Sequence, residues 1–347
     1  MTLKLPINFD TVYGGMCRDR NRIIAVMSSD KKLPWLFNNF IPLVMYGSYN
    51  VHNYDTSNYY EVFDIYDQVI DLQLFEIGEV KDIQNALESN CYIIACWDRY
   101  FIRGTPEYLK DHLIHEVLIY GYDSENRLLY FHDSAINGKE YDVGIISVDS
   151  FFEAIGNINK TIYSKESTQW QIAFGHPFSK FSIKNNNIDI NLRKIFFDFY
   201  NNYQGKKIDL HKSSESQQFY YGLNIFEGLH NILEEIKDGV FDASSKINAV
   251  WSIKLLSRYM ENNVQRFYYL MDKGWIEWQG ELLESYKRLS IDLLVLFNLI
   301  NKIIFKRKSK DIFQAYELLE CTKKNYTANL LLTIKLISKS LRKEINL

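Results

Sequence analysis

The sequence predicts an α+β domain followed by an all-α domain, and three observations predict it. Up to about Phe181, short runs rich in Val, Ile, Leu, Tyr and Phe alternate with helical stretches. A polar run, Lys184-Asn185-Asn186-Asn187, then interrupts the pattern. Beyond it, apolar residues recur every three or four positions and strand-like runs cease. The expected division is 1–181 for the α+β part and 188–347 for a helical bundle. A chain of 347 residues is longer than one ordinary core supports, which favours two domains.

In the first part, TVYGGMCRDRNRIIAVMSSDKKLPW (residues 11–35) places Ile23, Ile24 and Met27 on one helical face, with Lys31 to Pro34 ending the segment. Tyr92 to Trp97 reads as a strand. Glu116 to Tyr122 and Leu128 to Asp133 flank the polar cluster Asp-Ser-Glu-Asn, which makes them a hairpin. A tight turn centred on Ser124 would set His115 opposite Asp133, Val117 opposite Phe131, Ile119 opposite Leu129 and, on the other face, His132 opposite Glu116. Gly144 to Val148 and Gln171 to Phe174 read as further strands. In the second part, helical spacing predicts five helices, over 192–203, 220–237, 243–271, 279–304 and 310–343. In the third of these, Trp251, Tyr259, Phe267 and Tyr268 are expected to lie largely in cores or at the inter-domain surface.

Hydrophobic residues make up 47% of the chain and aromatic ones 15%, enough to exclude a disordered protein. A net charge of −3 gives no general affinity for nucleic acid. From Lys302 to Glu344, however, eleven basic residues face four acidic ones. The four cysteines, Cys17, Cys91, Cys96 and Cys321, are too scattered for a disulfide framework and are expected to be free thiols. Neither a signal-peptide run nor an uninterrupted membrane-length apolar run occurs, so a soluble cytoplasmic protein with no membrane partner is expected.

The chemistry-bearing residues are Cys17, His115 and Asp133. Cys17 stands at the start of the expected helix, where the helix dipole and Arg18, Arg20 and Arg22 would favour its thiolate. Gly14 and Gly15 would leave backbone amides free for an oxyanion. A histidine across a hairpin from an aspartate is the orienting half of a catalytic triad, and the chain order Cys, His, Asp is that of papain-like enzymes. A cysteine that merely packs against the helix start is the alternative for Cys17. A zinc site from His112, His115 and His132 is disfavoured, because residues three apart on an extended segment project poorly to one point. There is no phosphate-binding glycine loop or dinucleotide fingerprint, so neither ATP nor NAD is expected.

The stretch YLKDHLIHEVLIYGYDSENRLLYFHDS, preceded by CYIIACWDRYFI and followed by ISVDSFFEAIGN, resembles the butirosin biosynthesis protein H-like family, with its papain-like N-terminal domain. YYGLNIFEGL and INAVWSIKLLSRYMENNVQRFYYL are similar to segments of that family's helical C-terminal region. The resemblance implies acyl transfer from a carrier-protein thioester to a small amine in natural-product assembly. In that reading Cys17 takes the acyl group, His115 activates thiol and amine, and Asp133 orients His115. The acyl donor would be a phosphopantetheine thioester on an acyl or peptidyl carrier protein, with no bound cofactor or metal. A papain-like cysteine peptidase or thioesterase on the same triad, and a catalytically inactive binding or scaffold protein, are the alternatives.

Overall fold

The computed structural model describes residues 2–7, 26, 29–46, 50–53, 67–156, 158, 178–205, 219–241, 243–306 and 311–345. In chain order the elements begin with β1 (Thr2–Lys4), α1 (Ser29–Asn38), β2 (Leu43–Tyr46), β3 (Asn50–Asn53), β4 (Ile70–Leu74) and α2 (Val80–Glu88). Next come β5 (Tyr92–Asp98), a 3-10 turn (Arg99–Phe101), β6 (Ile114–Asp123), β7 (Leu128–Ile136), β8 (Lys139–Ser147), α3 (Val148–Gly156) and β9 (Phe178–Ile183). The chain continues through α4 (Leu192–Gln204), β10 (Phe219–Tyr221), α5 (Ile225–Lys237), α6 (Ala243–Asp272), α7 (Gly280–Lys306) and α8 (Asp311–Ile345).

The described residues fall into two compact units. The first holds those up to Lys32 and from Asp67 to Asn187; the second holds Leu33 to Asn53 and everything from Ile188 onward. The protein is therefore mixed α+β with a helical C-terminal region, but the units are not two successive stretches of chain. Residues 33–53, placed by the sequence with the α+β part, cluster with the helices.

In the first unit, seven antiparallel strands form one sheet in the order β4-β9-β5-β6-β7-β8, with β1 paired to the C-terminal end of β6. Local chemistry sets both hairpin turns. After β6, Asp123 Oδ1 accepts the backbone N–H groups of Glu125 and Asn126 at 3.0 and 3.2 Å, and its Oδ2 accepts from the Asn126 amide at 2.9 Å. These bonds, the Asn126 side chain's first, hold the Asp123 carboxyl below its ordinary value. Between β7 and β8, Asn137 and Gly138 both take positive φ, 54° and 72°. That is the conformation a two-residue hairpin matched to strand twist requires, and Asn-Gly supplies it cheaply.

In the second unit, four helices follow the spacing closely, but two expectations need correction. Strand β10 replaces the expected first turn of helix 220–237, and it joins β2 and β3 in a sheet of order β10-β2-β3, so the unit is not all-α. Strands of three and four residues are too short for periodicity to reveal. Helix α1 also runs through Pro34 instead of ending there. A proline inside a helix costs about 3 kcal/mol, and here the helix also buries Trp35, Leu36 and Phe37 almost completely.

Buried polar groups explain why residues 33–53 belong with the helices. Arg266 of α6, 2% exposed, donates to the carbonyl oxygens of Phe37 and Asn39, each at 3.1 Å. Tyr259 and Asn202 both donate to the Ile41 carbonyl, at 2.9 and 2.7 Å, and the Leu43 N–H donates to Asn202 Oδ1. Around these bonds lies an aromatic core of Phe199, Tyr259, Phe267, Tyr286 and Tyr326. Burial pushes the Tyr259 hydroxyl above its ordinary value and those of Tyr286 and Tyr326 well above it. On α6, Tyr259 and Phe267 are buried as expected, whereas Trp251 and Tyr268 are 45% and 55% exposed. Trp251 meets Phe297 at a tilt and Tyr268 meets Trp278 edge to face, so these aromatics cover helix surface without entering the core.

Candidate functional site

Strand β6 carries His115, Val117 and Ile119 on one face because strand side chains alternate. The pairs Trp97↔His115, Ala95↔Val117 and Ile119↔Phe131 put Trp97 of β5 and Phe131 of β7 on that same face. Phe131 fits there because Gly144 of β8 has no side chain: a Cβ at that position would lie 2.2 Å from the Phe131 ring. The edge of Trp97 meets Phe131 with ring centroids 4.7 Å apart at 81°. This places a dry aromatic pair beside the polar residues at the end of the face.

Asp133 lies two residues beyond Phe131 and so shares the face with His115. The hairpin register differs from the expected one by two residues: Leu118 pairs with His132 and Ile119 with Phe131, and a bulge at Tyr120 then shifts the remainder. Asp133 is accordingly a diagonal neighbour of His115, not its direct partner, and diagonal neighbours stay within reach of long side chains. His115 Nδ1 lies 3.3 Å from Asp133 Oδ1. A slip of one residue would have put them on opposite faces; a slip of two does not. The same shift sets His132 opposite Leu118, not Glu116, and stacks its ring on Tyr141 at 5.8 Å and 11°.

The pair has a third member that the sequence did not announce. Arg99, 3% exposed in the 3-10 turn after β5, donates from Nη2 to Asp133 Oδ1 at 3.0 Å, to the Ser134 carbonyl at 2.6 Å and to Ser134 Oγ at 3.1 Å. Its Nη1 lies 3.8 Å from Glu107 Oε2. Asp133 Oδ1 also accepts the Ser134 N–H at 2.7 Å. The result is a chain that runs from the half-buried Glu107 through the buried Arg99 and Asp133 to His115, in which each carboxylate has a cation or N–H donor beside it.

A second histidine–aspartate pair stands on the connection leading into β6. His112 Nδ1 lies 2.5 Å from Asp98 Oδ2, while Asp98 Oδ1 accepts the N–H groups of Tyr100 and Leu113 at 3.1 and 3.2 Å. The His112 ring stacks on Tyr100 at 4.4 Å and 18°, and its side chain is 63% exposed. Asp98 is the last residue of β5, where its side chain caps the 3-10 turn. Its neighbour Trp97 faces His115, so Asp98 points to the opposite side of the sheet.

Cys17, with Gly14, Gly15, Arg18, Arg20 and Arg22, lies outside the described residues. The described cysteines do not share the site's face. Cys96 pairs with Glu116 on the other side of the sheet and is buried, Cys91 is half-buried and Cys321 is exposed on α8. Compared with the models of known protein families and with curated proteins, the chain matches none. Among the described residues there is no group of three or more His, Cys, Asp or Glu side chains that could hold a metal ion, and no helix long and apolar enough to cross a membrane.

Proposed function

We propose that the chain is a papain-like, cysteine-dependent acyltransferase, with Cys17 as nucleophile, His115 as general base and Asp133 as its orienting carboxylate. One observation carries the reading: His115 and Asp133, 18 residues apart in the chain, meet at 3.3 Å at the end of one sheet face with the histidine's Nδ1 toward the carboxylate. In the proposed reaction His115 removes the Cys17 thiol proton, and the thiolate attacks a thioester carbonyl. The donor's C–S bond breaks as the Cys17 acyl thioester forms, and the proton passes to the departing carrier thiol. An amine then attacks the acyl group, His115 takes the amine proton and returns it to the Cys17 sulfur, and an amide leaves.

A basic groove in the second unit supports a carrier protein as donor. Lys335, Lys339, Arg342 and Lys343 of α8 line a groove of about 500 Å³ together with Phe196 of α4. Lys339 and Lys343 are both paired with Glu277 at 2.7 Å, whereas Lys335 and Arg342 make no ion pair among the described residues. Two uncommitted cations beside an aromatic ring suit an acidic carrier surface or the phosphate of its prosthetic arm.

The test is intact-protein mass spectrometry after incubation with acylated carrier protein, acylated small thiol, or free acid with ATP. An acyl adduct in wild type that is absent from Cys17→Ala, and that is discharged by amine, is the expected result. Discharge by water alone would replace the transferase with a thioesterase or peptidase. Absence of an adduct from any donor would overturn both. The burial of His115, 1% exposed, favours as a second reading a papain-like scaffold in which the pair is structural.

A further inference from the structure

We propose that Arg99 is a positioning residue of the candidate site: by fixing Asp133, it makes Nδ1 of His115 the protonated ring nitrogen and leaves Nε2 as the one that accepts a proton. The consequence for catalysis rests on the acyl-transfer reading; the geometry does not.

His115 Nδ1 lies between two oxygens, the Glu116 carbonyl at 2.9 Å and Asp133 Oδ1 at 3.3 Å. A carbonyl oxygen can only accept, and so can a carboxylate while it is ionised. With acceptors on both sides, Nδ1 must carry the hydrogen, and in the neutral ring Nε2 then holds the lone pair. The weak link is the carboxylate. Fully buried, Asp133 could take up a proton and become a donor facing Nδ1, or it could draw a second proton onto the imidazole. Either change removes the base that acyl transfer needs. The Arg99 guanidinium, permanently charged and bonded to Oδ1 at 3.0 Å, keeps Asp133 ionised and balances its charge, which removes both alternatives.

Arg99 is itself held rigidly for this task. Its N–H donates to the Leu113 carbonyl at 2.9 Å, and its own carbonyl accepts from Thr105 Oγ1 at 3.1 Å, so the backbone is pinned on both sides of the side chain. The same guanidinium nitrogen that reaches Asp133 also reaches the carbonyl and hydroxyl of Ser134, which fixes its direction. Other charged groups stand nearby among the described residues. Glu107 lies on the far side of Arg99, Asp142 is opposite Asp133 on β8 but paired with Lys139 at 3.1 Å, and Asp98 is on the other face. Arg99 is thus the cation that answers the Asp133 carboxylate from the described part of the chain.

The test is nitrogen NMR of the full-length protein labelled at histidine, with the His115 signals assigned by their loss in His115→Gln. At neutral pH the wild type should show Nδ1 protonated and Nε2 unprotonated. Arg99→Lys, which keeps the charge, should retain that pattern. Arg99→Gln should lose it, to imidazolium or to the other tautomer, and its rate of Cys17 acylation should fall about 100-fold or more. A folded Arg99→Gln protein with the wild-type nitrogen pattern would overturn the proposal, whatever its activity. Should Arg99→Gln not fold, a wild-type His115 found as imidazolium or protonated at Nε2, or a folded Arg99→Lys protein that loses the pattern, would overturn it equally. If the nitrogen pattern changes as expected but wild type forms no acyl adduct, the positioning role stands and the acyl-transfer reading falls.

Discussion

The two histidine–aspartate pairs of the first unit use the same atoms for opposite ends. Both join an imidazole Nδ1 to a carboxylate that is itself nearly inaccessible. Asp133 answers to a buried guanidinium and a buried imidazole, whereas Asp98 answers to two backbone N–H groups and a ring that is 63% exposed. The difference teaches that contact distance does not rank such pairs. The shorter contact, 2.5 Å at His112, closes a surface connection, while the longer one, 3.3 Å at His115, belongs to a charge network whose members cannot be solvated if one is removed.

That contrast can be broken by substitution. Asp133→Ala should be the most damaging change, destabilising by about 3–5 kcal/mol in urea denaturation, because it leaves the Arg99 charge buried without its carboxylate. A cost below that of Asp98→Ala would end the distinction between the pairs. Asp98→Ala should cost about 1–3 kcal/mol, the penalty for two backbone donors that lose their acceptor. His112→Gln should cost under about 1 kcal/mol and leave Cys17 acylation unchanged, whereas His115→Gln should abolish acylation. Loss of acylation in His112→Gln would instead move the base to the exposed pair.

The smallest effect is expected at a solvent-accessible ion cluster that serves as the reference. Hydrogen bonds and charge from Lys339 and Lys343 lower the Glu277 carboxyl from 4.5 to about 2. A carboxylate with a depressed folded-state pKa contributes stability above its unfolded value, and that contribution disappears as pH falls through the folded one. Glu277→Gln should therefore melt slightly below wild type at neutral pH. The gap should close between about pH 4.5 and 2, as thermal melts across that range would show.

Particular residues show where sequence reasoning reached and where it stopped. The helices of the second unit were legible because each is long enough to repeat its apolar spacing several times; α8 alone spans 35 residues. The β7–β8 hairpin was equally legible, since Asn137-Gly138 is a strong turn signal, yet Leu128 to Asp133 and Gly144 to Val148 read only as separate strands with no turn joining them. The 3-10 turn that carries Arg99 has three residues, and nothing in Asp-Arg-Tyr-Phe distinguishes a buried guanidinium from a solvated one.

The sequence by itself determined which face His115 and Asp133 occupy. Strand alternation has a period of two, and an error of two residues in register leaves the face unchanged. It also determined the run of helices after Asn187. Only the tertiary structure decided what the pair is connected to. Arg99 reaches Asp133 across 34 positions, and Arg266 reaches Phe37 across 229, drawing residues 33–53 into the helical unit. Periodicity is local, so it reports how a segment folds. The partner of a buried charge is set by which distant backbones and side chains are brought within about 3 Å, and no local pattern carries that information.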